Sequence, residues 1–104
     1  MARKNQVRKV SSAAVQGDDS YVEFAPVMYG ESKEIARRLN DIPPNNRLAQ
    51  MELNAEVVRK YVVGWNWVDD DGNPLPLPKD DPTVLDRLTA EEMRFLGNNL
   101  NASG

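Results

Sequence analysis

The sequence predicts a mainly α-helical small single domain of three to four short helices, with a minor N-terminal β-strand or hairpin and a disordered basic N-terminal arm. Three observations lead there. Leu48, Met51, Ala55, Val58, Val62 and Trp65 recur at spacings of 3, 4, 3, 4 and 3, the period of one helix face. Two helix-start signals follow downstream, Asp81-Pro82 and the pair Thr89 and Glu92. One short run over residues 21–28 is rich in β-branched and aromatic side chains and supplies the strand.

At 104 residues the chain has room for one modest core. Residues 1–17 are expected to be a basic flexible arm and residues 18–104 a single mainly helical domain. The arm holds Arg3, Lys4, Arg8 and Lys9 and no acid before Gly17, a composition that stays solvated or orders on a neighbouring subunit. In the strand, Val22, Phe24 and Met28 share one parity, and Pro26 removes a ladder donor, which places it at an edge. Val15 and its neighbours, or residues 66–68, are its expected partners.

The next element is a short amphipathic helix over residues 33–40, with Ile35, Leu39 and Ile42 on one face. Glu31 and Glu34 near its start and Arg37 and Arg38 toward its end suit the helix dipole. Pro43-Pro44 stops it, and Asn45 or Asn46 can cap its successor. The long stripe then predicts a helix over residues 48–65, ending at Gly64. A second flank of Leu53, Val57 and Tyr61 widens its apolar face, so it requires two neighbours, or one neighbour and a partner.

Residues 69–74 predict a turn, because Gly72 and Asn73 tolerate positive φ and Pro74 blocks a return to helix. Leu75 and Leu77 alternate with Pro74, Pro76 and Pro78 in a polyproline-like strip expected to fold back over both tryptophans. Trp65 is expected in the core; Trp67 either joins it or sits with Leu77 at its rim, half exposed. Asp81 is the expected N-cap of the next helix, with Val84, Leu85 and Leu88 as its apolar face. A capping box at Thr89 and Glu92 opens the last helix, which carries Met93, Leu96 and Leu100 and is weakened at Gly97.

Composition narrows the chemistry. The chain has no cysteine and no histidine, which removes disulfides, thiolate zinc sites, cysteine nucleophiles and the commonest general base. Carboxylate chemistry needs acids converging on a pocket, and here they cluster in a turn. Aligning Gly72 with the glycine of an EF-hand loop puts Trp67 at its first ligand position and Pro78 where a bidentate glutamate is required, so the match fails. No catalytic residue, metal or cofactor is expected. The net charge of −3 argues against a nucleic-acid partner. No apolar run approaches a membrane span, so no membrane partner is expected and cytoplasmic residence is the default.

Four segments, taken in order, resemble a known family. They are Tyr29-Gly30-Glu31, Val63-Gly64-Trp65-Asn66, the turn Asp69-Asp70-Asp71-Gly72-Asn73-Pro74-Leu75-Pro76, and Val84-Leu85-Asp86-Arg87-Leu88-Thr89. Their order resembles the small tail assembly chaperones of long-tailed bacteriophages. The resemblance implies a mainly helical, non-enzymatic protein without a cofactor. It also implies binding to apolar helical segments of the tape-measure protein, which is kept soluble in the host cytoplasm until the tail tube polymerises around it. On that reading the wide apolar face of residues 48–65, with Trp67, Leu75 and Leu77 at its border, receives the partner; the partner-binding residues named on it are Val62, Trp65, Trp67, Leu75 and Leu77, and self-association is compatible with it. The basic arm lies outside the resemblance. It supports an alternative, a structural virion protein of the head-tail neck or tail whose assembly arm, with Arg3, Lys4, Arg8 and Lys9, orders on neighbouring subunits.

Overall fold

The computed structural model of the protein describes residues 7–102, with side chains described through residue 100. Strands β1 (Arg8–Ser11), β2 (Tyr21–Phe24) and β3 (Val62–Trp65) form one antiparallel sheet in the order β1-β2-β3. Helices α1 (Ala13–Gln16), α2 (Tyr29–Asp41), α3 (Arg47–Tyr61) and α4 (Ala90–Ala102) surround it, with a 3-10 helix over Pro82–Arg87. The result is a small compact single domain that mixes helix with antiparallel sheet, which corrects the expectation of a mainly α fold.

The disordered arm is corrected as well. Residues 8–16 form β1 and α1, and Val10 and Val15 pack against the core. The segment escapes pattern recognition because β1 is an edge strand. Its ladder comes from backbone pairing with β2, Arg8 opposite Phe24 through Ser11 opposite Tyr21, and only Val10 is partly shielded. Arg3 and Lys4 lie outside the described residues.

β2 is therefore the central strand, flanked by β1 and β3 rather than by Val15 or residues 66–68. Pro26 is compatible with this because the ladder ends at Phe24. The helix expected to run to Gly64 stops at Tyr61, and Val62 turns extended, with φ −81° and ψ 112°, while its N–H still bonds Val58 O. Gly64 lies opposite Glu23 in β3. A register shift between Glu23 and Phe24 leaves Val63 as the extra residue, so Val62 pairs with Phe24 and Trp65 with Val22. That bulge puts Val62 and Trp65 on the same face of the sheet, which an odd separation in a regular strand would forbid.

The core comprises Val22, Phe24, Val58, Tyr61, Val62, Trp67, Leu75, Val84, Leu85, Leu96 and Leu100. Beyond β3, the acidic turn closes through Asp69 N–H to Asn73 O at 2.9 Å and Gly72 N–H to Asp69 O at 3.0 Å. Gly72 takes φ +84°, the left-handed conformation expected of it. The proline strip returns across the tryptophans, Leu75 N–H donating to Trp67 O.

Several helix ends form as the sequence indicates. Asn46 Oδ1 accepts from Ala49 N–H, Asp81 Oδ1 accepts from Thr83 N–H, and Thr89 and Glu92 satisfy each other's backbone amides. α4 continues through Gly97 to Ala102. A Cβ there would sit 3.1 Å from Asn54 Oδ1, so glycine allows α4 to approach α3 closely.

Candidate functional site

The five residues expected to bind a partner form the structural centre instead. Val62, Trp67 and Leu75 are buried, and Trp65 and Leu77 are partly buried against the same core. The two indoles stack with centroids 4.8 Å apart and 4° between planes, and Trp67 also meets the Phe95 ring at 6.3 Å. Trp65 Nε1–H donates to Leu75 O at 3.1 Å. Trp67 Nε1–H donates to Ser12 Oγ at 2.9 Å; Ser12 Oγ donates to Ser20 Oγ, and Ser20 Oγ to Gly17 O, both at 2.7 Å. Trp67 is 1% exposed, so of its two expected positions it takes the core and not the half-exposed rim. The cause is Ser12, from the segment expected to be a flexible arm, which supplies the acceptor a buried indole N–H requires.

Apart from Val7, Met28 and Val68, the large apolar side chains that face solvent among the described residues lie on the α2–α3 hairpin. At 3.6 residues per turn Leu48, Met51, Ala55 and Val58 do share one face of α3. Only the C-terminal part of that stripe is covered: Val58 is buried and Ala55 packs on the core, whereas Leu48 is 65% and Met51 61% exposed. Leu39, near the end of α2, is 51% exposed, and Tyr29 at its start 79%. A length argument could have found this. Fifteen helical residues span about 22 Å, and a four-residue strand only about 13 Å, so the sheet cannot floor the whole of α3.

Polar contacts hold α2 against α3. Lys60 Nζ lies 2.6 Å from Glu31 Oε2, the same oxygen accepts from Tyr61 Oη–H at 2.8 Å, and Arg38 donates through both terminal nitrogens to Glu56. The hydrogen bond from Lys60 holds the Glu31 carboxyl below the usual range, and that from Arg38 does the same for Glu56. Burial, followed by the hydrogen bond to Glu31, pushes the Tyr61 phenol up. Arg37 pairs with Glu34 within α2.

A depression of about 580 Å³ adjoins the acidic turn and is bordered by Asp69, Asp70, Asp71, Arg87 and Glu92. Two of these acids have structural partners. Asp69 Oδ1 accepts from the backbone amides of Asp71 and Asn73, while Glu92 accepts from Thr89 N–H and from the Gln16 side-chain amide. Among the described residues, no three acids are placed to share a metal ion. Arg8 and Lys9, expected on the arm, lie on β1. Arg8 sits over the Phe24 ring and donates to Asn99 O at 2.7 Å, and Lys9 sits 4.3 Å from the Tyr21 centroid. No family model, curated protein or solved structure matches the chain.

Proposed function

We propose that the protein is a non-enzymatic tail assembly chaperone that binds apolar helical segments of a phage tape-measure protein and keeps them soluble. The observation that carries the binding role is the exposure of Leu39, Leu48 and Met51 where α2 meets α3. Large apolar side chains held in water on a helix cost nothing when a partner's apolar face covers them, and helix-in-groove recognition uses such anchors. The assignment to tail assembly is supported by the resemblance of the four segments quoted above. In this reading the binding surface narrows to the solvent-facing start of the 48–65 face, Leu48 and Met51, joined by Leu39 of α2.

A structural virion protein is the second reading. It is favoured by β1, an edge strand carrying Arg8 and Lys9, next to which a neighbouring subunit could add a strand. Co-expression distinguishes the two. A chaperone shifts a tape-measure protein from the pellet to the supernatant as a complex. A virion component leaves it insoluble and is recovered in assembled tails or necks.

A further inference from the structure

No side chain of α2 is buried. Ile35 packs on the core only in part, and Ile42 is partly shielded beside Ala49 and Leu53. Open depressions of about 130 and 270 Å³ run along the junction of the two helices. Their charged contacts are Glu31 with Lys60 and Tyr61, and Arg38 with Glu56. Arg38, Glu56 and Lys60 remain exposed and Glu31 is 34% exposed, so these ion pairs stand at the surface, where they are individually weak and screened by salt. Pro26 lies in the connector before α2 and Pro43-Pro44 in the connector after it. Both connectors are thereby excluded from continuing the helix.

We propose that α2 is a displaceable occupant of a groove on α3, and that the same groove receives an amphipathic helix of the partner. The groove's floor is Leu53 and Val57, with Lys60 and Glu56 as its polar rim. Its chemistry selects a helix ordered as α2 is, with a carboxylate one turn before its first apolar residue and an arginine about one turn after it. The proposal rests on the chaperone reading and adds to it the route by which the partner's helix enters.

The test needs no tape-measure protein, so its outcome is separate from that of the solubility assay. Hydrogen exchange is followed at about 20 mM and about 500 mM sodium chloride, concentrations that bracket weak and strong screening. Amides of α2 should exchange about tenfold faster at high salt while those of β2, β3 and α4 keep their rates. The variant Glu31→Gln/Arg38→Gln removes the two charges through which α2 pairs with α3 and leaves Lys60 and Glu56 free to pair. A labelled synthetic peptide with the sequence of residues 28–42 should bind that variant at least tenfold more tightly than the unaltered protein. Exchange of α2 in step with the sheet at both salt concentrations would overturn the displaceable helix. Equal peptide binding to both proteins would overturn the docking groove.

Discussion

Trp67 and Ser12 decide the stability of the centre of the molecule. Replacing Trp67 with Ala removes a fully buried indole, its stack on Trp65 and its bond to Ser12, and should cost about 3–5 kcal/mol. Ser12→Ala keeps the ring but deprives its N–H of an acceptor, at about 1–3 kcal/mol. Urea denaturation followed by tryptophan fluorescence measures both, and a loss below about 0.5 kcal/mol for Trp67→Ala would contradict its burial. Val58→Asp, at a wholly buried position on α3, should abolish the cooperative transition altogether. Legibility at this scale follows locality. The Thr89–Glu92 box, the Asp81 cap and the Gly72 turn need only neighbours within four residues, and each could be read directly. The Ser12–Trp67 bond joins residues 55 apart, which no spacing rule anticipates.

Among the elements, α2 is the most sensitive to solution conditions. Its two clasp carboxylates, Glu31 and Glu56, titrate below their ordinary range when folded. Their contribution is therefore present above that range and is lost as pH falls through the lowered folded values. Acidification should release α2 before the sheet, read as loss of amide protection over residues 29–41 at a pH where β2 remains protected. Simultaneous loss across the chain would show α2 to be an integral part of one cooperative unit. The same scale explains the principal misreading of the sequence. Residues 61–65 satisfy a helical period because Val62 and Trp65 are three apart. In the fold they share a face through the bulge at Val63 instead. A bulge reproduces, in a strand, the odd spacing that otherwise marks a helix. β1 was hidden for a different reason: an edge strand with one shielded side chain has no alternation to detect.

At the scale of the whole molecule, the proposed chaperone function requires that the residues that hold the fold differ from those that meet a partner. Trp65, Trp67, Leu75 and Val62 belong to the first group, and Leu39, Leu48 and Met51 to the second. The most direct measurement compares the triple variant Leu39→Ser/Leu48→Ser/Met51→Ser with the unaltered protein in two assays, thermal melting alone and solubilisation of a co-expressed tape-measure protein. Exposed side chains forfeit little burial, so each substitution should change stability by no more than about 0.5 kcal/mol. Loss of apolar anchors at an interface costs 2 kcal/mol or more, roughly a thirtyfold drop in affinity, so the tape-measure protein should return to the pellet. A triple variant that melts as before and still keeps the tape-measure protein in solution would contradict the assignment of the hairpin as the binding surface.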